Sequence, residues 1–129
     1  MAMILGMGTD LAEIGRLKRS IDRFGDRFLE RVYTPGEIAY CMTKKGFAES
    51  FAARFAAKEA GAKALGTGIS YGVSWKEFEV TRALSGKPSL VLHGRAAALA
   101  AEMGVGNISL SLTHTRDLAM AVVVMESIG

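Results

Sequence analysis

Two acidic residues occur in sequence contexts where a carboxylate could meet a ligand. Asp10 ends a short apolar run that contains Gly6 and Gly8, and Glu59 lies in an alanine- and phenylalanine-rich stretch, residues 51–64. Partial burial would oblige Glu59 to find a partner, and a metal ion is one such partner. Together the two acids could hold Mg²⁺, which takes one or two protein carboxylates and leaves its other positions to water and substrate phosphates.

Two basic residues of the same stretch, Arg54 and Lys63, could bind phosphate oxygens beside such a cation through charge-assisted hydrogen bonds. Phosphoryl transfer depends on positioned charge more than on covalent chemistry by the protein. A cation held by two acids, with basic side chains around it, is therefore a set of groups from which that reaction could be built.

Each of these residues also has an ordinary structural interpretation. Asp10 could cap a following helix, since aspartate is a favoured N-cap residue. Glu59 and Lys63 are four residues apart and could form a surface ion pair on a helix. His114 stands between two threonines and could be hydrogen-bonded at a sheet edge or could contact an anion or nucleotide. The residues alone leave these alternatives open.

Several other kinds of site are not expected. Cys41 is the only cysteine and there are two histidines, which makes a disulfide framework or a structural zinc site improbable. Cys41 lies on an amphipathic segment and is expected in the core. Neither the glycine pair at 6 and 8 nor the pair at 66 and 68 completes a dinucleotide fingerprint, and no Walker phosphate loop is present.

Apolar periodicity predicts the elements that must position these residues. The first half should contain a strand over residues 3–9, a helical face from Leu11 to Phe28 on one helix or on two short helices broken near Gly25, and a helix from a capping box at residues 34–37 to about residue 43. A helix over residues 47–65 should end at Gly66.

In the second half of the chain, the residue pattern predicts strands over residues 76–81 and 89–92, a helix over 95–103, and two strands over 108–113 and 119–125. Hairpins mixed with helices favour an α+β fold over a regular parallel sheet. The 129 residues are expected to form one domain, because no linker or repeat interrupts them. Val122–Val124 does not alternate, which predicts a strand covered on both faces.

Composition bounds the partners. Hydrophobic residues make up 50% and the mean hydropathy is +0.22, which is apolar for a lone small domain and hints at surface covered by another subunit. The uncharged apolar run over residues 118–125 is too short to span a bilayer, and the first residues lack a signal peptide, so a cytoplasmic protein without membrane partners is expected. The net charge of +3 suits an anionic partner.

Arginines recur at steps of three and four at positions 16, 19, 23 and 27. Such a stripe is usually a solvated helix face, but it could dock an acidic helix. Nucleic acid is not the expected partner, because no aromatic residues are interleaved with these arginines.

Five segments, taken in order, resemble the holo-acyl-carrier-protein synthases, the small bacterial type of 4′-phosphopantetheinyl transferase. They are GMGTDLAEI (residues 6–14), FLERVYTPGE (28–37), the helix and loop from residues 51 to 68, GKP (86–88) and SLSLTHT (109–115). Any one segment is weak evidence, but five in the right order across nearly the whole chain are specific. The resemblance argues against the capping and surface-pair interpretations of Asp10 and Glu59.

The resemblance implies an activity and an assembly. Coenzyme A would donate its 4′-phosphopantetheine arm to a serine of apo-acyl carrier protein, with release of adenosine 3′,5′-bisphosphate, in support of fatty acid biosynthesis. The implied fold has a mostly antiparallel sheet packed with helices. Family members are usually homotrimers with sites between adjacent subunits, which suits the apolar composition.

The resemblance also implies site residues, carried over position by position. Asp10 and Glu59 would bind Mg²⁺ beside the pyrophosphate, and Lys63 would steady the developing charge or the leaving group. Glu59, directly or through a water, is the candidate for removing the serine proton. The coenzyme A contacts would be Arg54, Lys58, Lys63, Gly66, Thr67, Pro88, His114 and Thr115. The carrier-protein contacts would be Arg16, Arg23, Arg27, Phe28 and Arg31.

The main rival interpretation is a non-catalytic module that recognises an acidic carrier helix or a nucleotide through the arginine stripe. Carrier binding would then persist and weaken with salt, without transfer. A nucleic-acid binder ranks last, and it would require an affinity that falls steeply with salt.

Overall fold

A three-stranded antiparallel sheet forms the platform of the protein. A computed structural model describes residues 1–128. The sheet consists of β1 (Ile4–Glu13), β4 (Val105–His114) and β5 (Leu118–Ser127), in the order β1-β5-β4. The last two strands form a hairpin, so the chain's final strand lies in the centre of the sheet.

Five helices and a second, two-stranded sheet complete the described fold. The helices are α1 (Ile14–Phe24), α2 (Asp26–Val32), α3 (Pro35–Met42), α4 (Phe47–Leu65) and α5 (Gly94–Met103). A 3-10 turn (Trp75–Glu77) leads into the antiparallel pair β2 (Phe78–Arg82) and β3 (Pro88–Leu92). The expected α+β class with antiparallel sheets is confirmed. No helix within residues 1–128 combines the length and apolarity needed to cross a bilayer.

Helix α4 lies between the two sheets and is buried along most of its length. Alanines at positions 52, 56, 57 and 60 are fully inaccessible to solvent. Short side chains allow the neighbouring backbones to approach closely, which explains why the sequence of α4 is rich in alanine. The helix can therefore hold charged side chains in fixed positions relative to both sheets.

Two glycines bring β1 against this helix. A Cβ at Gly6 would overlap the Ala64 carbonyl oxygen, and one at Gly8 would overlap the Ala60 carbonyl oxygen. A glycine within a strand often marks the close approach of another backbone, and here the neighbour is the backbone of α4. On the other side of α4, a Cβ at Gly61 would lie 2.8 Å from Leu90 Cδ2.

Replacing Gly8 by alanine should destabilise the protein by about 1–3 kcal/mol, because the new methyl group must push β1 away from α4. Chemical denaturation measures this loss. Gly15→Ala is the matched control, since a Cβ there meets only the end of the Arg19 side chain at 3.5 Å in an exposed part of α1. A Gly8→Ala protein as stable as the wild type would show that this packing is not required.

Local signals in the sequence located several element boundaries. Gly25, with φ of 57°, separates α1 from α2, as expected. The capping box of α3 is present: the Thr34 hydroxyl accepts from the Glu37 backbone N–H at 3.2 Å, and the Glu37 carboxylate accepts from the Thr34 N–H at 2.9 Å. The bounds of α4 match the predicted helix, and Gly66 ends it with φ of 88°.

Some expected boundaries were wrong, and so was the capping alternative for Asp10. Strand β1 continues to Glu13, so Leu11 belongs to a strand and is 61% exposed instead of forming part of a buried helical face. The residue that precedes α1 as its N-cap is Glu13, so Asp10 does not cap a helix. The strand predicted over residues 76–81 begins at Phe78, after the 3-10 turn.

Candidate active site

Strand β1 directs Asp10 toward helix α4. Side chains alternate between the two faces of a strand, so Gly6, Gly8 and Asp10 share one face. The two glycines of that face touch the backbone of α4, and Asp10 pairs across the sheet with the buried Ala121. The carboxylate therefore lies beside the part of α4 that carries Glu59 and Lys63.

Lys63 forms an ion pair with Asp10. Its ammonium nitrogen lies 2.8 Å from Asp10 Oδ1 and 3.1 Å from the carbonyl oxygen of Thr9. The Asp10 side chain is 13% exposed, while that of Lys63 is 52% exposed. The helical pair of Glu59 with Lys63 that the spacing allowed is thus replaced by a pair between two distant parts of the chain.

Glu59 and Asp10 line the same cavity and lie near each other. Burial raises the pKa of Glu59 above its ordinary value, and the negative charge and hydrogen bonding of the nearby Asp10 carboxylate raise it further, while Lys63 opposes the shift. The hydrogen bond to Asp10 in turn raises the pKa of Lys63. Two carboxylates held this close repel each other when both are ionised, and a divalent cation relieves that repulsion.

The donor set fits Mg²⁺. This hard cation takes oxygen ligands and is commonly held by only one or two protein carboxylates, because water and substrate phosphates supply the rest. Asp10 and Glu59 offer such a pair, and residues 1–128 contain no larger cluster of acidic, histidine or cysteine side chains that could hold a metal alone. A cation at these acids would thus need oxygens from a substrate or from water.

A cavity of about 350 Å³ opens directly beside the two acids. Its other lining residues include Phe55 of α4 and Arg16 and Ser20 of α1. The combination of an apolar ring, a guanidinium and two carboxylates gives a cleft that could receive both an anionic group and a less polar chain.

A second polar group lies around Arg54. This side chain is 2% exposed, donates to the Ser50 carbonyl oxygen at 3.2 Å, and places its guanidinium 4.6 Å from the ring centre of Tyr40. Its Nε is buried without a hydrogen-bond partner among the described residues. An unpaired buried donor on a charged group is costly, so Arg54 has unused capacity to bind an anion.

His114 and Arg82 border the same cavity as Arg54, which has a volume of about 280 Å³. His114 ends β4 and its Nε2 lies 3.5 Å from Glu49 Oε2, while the Arg82 guanidinium lies 5.2 Å from the ring centre of Tyr40. Three groups that can carry positive charge therefore surround this pocket.

One chain does not bring these two groups together. Arg54 and Glu59 are five residues apart on α4, which places them about 140° apart around the helix axis. The structure joins Asp10, Glu59 and Lys63 on one side, and Arg54 with His114 on the other. The two groups therefore line separate cavities of the chain.

Lys58 lies elsewhere than predicted. It is fully buried and donates to Glu37 Oε1 at 2.7 Å, to the Phe78 carbonyl oxygen at 2.6 Å and to the Trp75 carbonyl oxygen at 3.2 Å. These bonds use all three protons of its ammonium group. The expected contact of Lys58 with a phosphate is therefore wrong, and Lys58 instead ties α4 to α3 and β2.

Glu37, the partner of Lys58, was predicted only as a capping residue. Glu37 is 1% exposed, and its carboxylate also accepts a hydrogen bond from the Val80 N–H at 2.8 Å. The capping-box spacing was the only signal in the sequence, and it gave no indication of a buried ion pair with a residue 21 positions later.

The remaining predicted ligand contacts lie near one group or the other. Gly66 and Thr67 follow the end of α4, just beyond Lys63, and the Thr67 hydroxyl bonds to the Gly68 carbonyl oxygen. Thr115 follows His114 in the turn between β4 and β5, and Pro88 pairs with Arg82 at the start of β3. Their placement agrees with two separate binding regions on the chain.

The predicted carrier surface is exposed. Arg16 and Arg23 lie on α1, and Arg27 and Arg31 on α2, and all four are exposed. None of these arginines forms an ion pair with another of the described residues, so their charge is available to a partner. Phe28 lies among them, half-buried, with its ring 6.3 Å from that of Tyr33.

Comparisons with known proteins agree with the sequence resemblance. Residues 6–123 match the 4′-phosphopantetheinyl transferase superfamily. A holo-[acyl-carrier-protein] synthase from Solibacter usitatus is 58% identical over 125 residues, covering 97% of this chain and 100% of the relative.

Solved structures extend the agreement to the fold. The crystal structure of holo-[acyl-carrier-protein] synthase from Neisseria meningitidis superimposes with a TM-score of 0.86 at 37% identity, covering 95% of this chain and 98% of that one. A synthase from Bacillus anthracis, in complex with CoA (3′,5′-ADP), gives a TM-score of 0.81 at 37% identity, covering 98% of this chain and 99% of that one.

Proposed function

This chain belongs to the 4′-phosphopantetheinyl transferase superfamily, and we propose that it transfers the 4′-phosphopantetheine arm of coenzyme A to a serine of apo-acyl carrier protein. The reaction would use a divalent cation, Mg²⁺, bound by Asp10 and Glu59. The convergence of these acids with Lys63 is the single observation that carries the proposal. The family relationship supplies the substrates, and the geometry supports the positions of the reacting groups.

Asp10 and Glu59 would hold the cation, which when bound supplies positive charge against the coenzyme A diphosphate. Lys63 lies beside the same acids, within hydrogen-bond distance of Asp10. It would donate a hydrogen bond to a phosphate oxygen and steady the charge on the leaving group. The backbone positions of these residues are fixed relative to each other, because β1 packs tightly against α4 at Gly6 and Gly8.

The reaction exchanges the phosphoanhydride bond of coenzyme A for a phosphate ester bond to the carrier serine. The carrier serine oxygen forms a bond to the β-phosphorus, and the bond from that phosphorus to the bridging oxygen breaks. Adenosine 3′,5′-bisphosphate leaves with the bridging oxygen. Glu59, directly or through a water, accepts the serine proton.

The proposal includes a homotrimer with coenzyme A between adjacent subunits. The sheet face turned away from α4 carries the apolar side chains of Met7, Leu11, Met120, Val122 and Val124, and Met7 and Leu11 are 59% and 61% exposed. A neighbouring subunit would cover this face, and β5 would then be covered on both of its faces. The same assembly would bring the Arg54 and His114 group of one chain to the Asp10 and Glu59 group of another.

The carrier surface would be the arginine face of α1 and α2. The double variant Arg23→Ala/Arg27→Ala should raise the KM for carrier protein by about tenfold with little change in kcat, because it removes attraction to an acidic partner without touching the reacting groups. Initial-rate kinetics at low and high salt measure the effect, which salt should reduce. Lys76→Ala, another exposed basic residue on the 3-10 turn, should leave the KM unchanged. Equal KM values for the double variant and the wild type would remove this surface from the proposal.

The proposal also includes a role in fatty acid biosynthesis in the cytoplasm. A fatty-acid-type carrier would be the protein substrate. The lone cysteine, Cys41, is free and fully buried, which suits a reducing compartment.

Chromatography of the nucleotide product tests the reaction. The protein is incubated with coenzyme A, Mg²⁺ and a fatty-acid-type apo-acyl carrier protein, and adenosine 3′,5′-bisphosphate should appear in proportion to the carrier consumed. Carrier binding without nucleotide release would instead support the non-catalytic module.

A further inference from the structure

Lys63 is bonded to the very carboxylate that the proposed function assigns to a cation. Its ammonium lies 2.8 Å from Asp10 Oδ1 and 3.1 Å from the Thr9 carbonyl oxygen. A divalent cation at Asp10 would stand within a few ångströms of this ammonium, and like charges at such a distance repel strongly in a partly buried site. Lys63 and the cation therefore oppose each other at Asp10.

The Lys63 side chain has more freedom to move than the Asp10 side chain. It is 52% exposed and ends a flexible four-carbon stem, whereas the Asp10 side chain is 13% exposed and is fixed by the strand. Lys63 would exchange one anionic oxygen acceptor for another, so its charge-assisted hydrogen bond need not be lost. A phosphate oxygen bound beside Asp10 and Glu59 would be such an acceptor.

We propose that Lys63 and the divalent cation compete for Asp10, and that coenzyme A decides the competition by offering Lys63 a phosphate oxygen. This inference rests on the proposed function, whose diphosphate provides the acceptor. Cation and coenzyme A then bind cooperatively, since each favours the arrangement in which Lys63 has left Asp10. Lys63 thus serves as the built-in counter-ion of the cation-free enzyme and limits cation binding until coenzyme A arrives.

Binding of Mn²⁺, followed through the electron paramagnetic resonance signal of the free ion, tests this competition. Lys63→Met keeps most of the stem and removes the charge. Without coenzyme A, this variant should bind Mn²⁺ about tenfold more tightly than the wild type, because a nearby positive charge has gone. The matched control is Lys18→Met, which removes the exposed partner of Asp22 on α1 and should leave the Mn²⁺ affinity unchanged.

Coenzyme A gives a second readout. It should tighten Mn²⁺ binding by a larger factor in the wild type than in Lys63→Met, since only the wild type has a lysine to transfer. A second uncharged variant, Lys63→Gln, should rank with Lys63→Met, so that a folding defect of one variant does not decide the result.

Two outcomes distinguish a failure of this inference from a failure of the proposed function on which it rests. If the wild type transfers phosphopantetheine with Mn²⁺ but both Lys63 variants bind Mn²⁺ alone no more tightly than the wild type, the competition is refuted and the function stands. If the wild type neither transfers the arm nor binds Mn²⁺ in the presence of coenzyme A, the proposed function fails and the inference falls with it.

Discussion

Asp10→Ala should reduce transfer of the phosphopantetheine arm by about a thousandfold or more, because it removes one of two protein ligands to a cation worth several kcal/mol to the transition state. The loss should appear in kcat, measured with saturating coenzyme A and carrier, and added Mg²⁺ should not restore it. The protein should remain folded, since the substitution leaves the backbone pairing of β1 with β5 intact and the ion-pair partner, Lys63, is half-exposed.

Asp22→Ala is the control for this prediction. It removes an aspartate that also pairs with a lysine, Lys18 at 3.0 Å, but on the exposed face of α1. Its rate should equal that of the wild type. An Asp10→Ala protein that modifies the carrier at the normal rate would show that the role assigned to Asp10 is wrong.

The largest expected effect on stability comes from the buried pair of Lys58 and Glu37. Lys58→Met should lower the free energy of unfolding by about 3–5 kcal/mol, because it leaves the Glu37 carboxylate buried and short of its counter-ion. Urea denaturation measures the loss. Glu37→Gln tests the pair from the other side and should also destabilise the protein, since Lys58 would then keep its charge without a buried partner.

Lys18→Met again provides the comparison, because it breaks an ion pair that is more than half exposed and should cost less than about 1 kcal/mol. If Lys58→Met unfolds at the same urea concentration as Lys18→Met, the buried pair does not hold α4 in place. The contrast matters for the site because Lys58 directly precedes Glu59 on that helix.

The sequence predicted the elements best where local signals agree. The bounds of α4 follow from its helix formers and from Gly66, and the start of α3 follows from the capping box. The end of β1 was missed because Leu11 continues the spacing of the helical residues after it. Strand pairing with β5 extends β1 to Glu13, and that pairing involves residues more than a hundred positions away.

The roles of the charged residues on α4 could be predicted only in part, because their partners also lie far away along the chain. Arg54, Lys58, Glu59 and Lys63 all lie on α4, and because the helix is packed on both sides it has no polar face that would mark which of them meet solvent. Periodicity therefore could not separate the buried Lys58 from the exposed Lys63. Their partners decide the matter, since Glu37 holds the first and Asp10 the second, and both partners come from other elements.

Intact-mass spectrometry of the carrier protein tests whether a divalent cation held by Asp10 is needed for the transfer. Apo-acyl carrier protein is incubated with coenzyme A and this protein in three parallel samples: with Mg²⁺, with a chelator in place of Mg²⁺, and with Mg²⁺ and the Asp10→Ala variant. If a cation at Asp10 is required, the carrier should gain the mass of one phosphopantetheine arm in the first sample alone. No gain in the first sample, or an equal gain in all three, would contradict it.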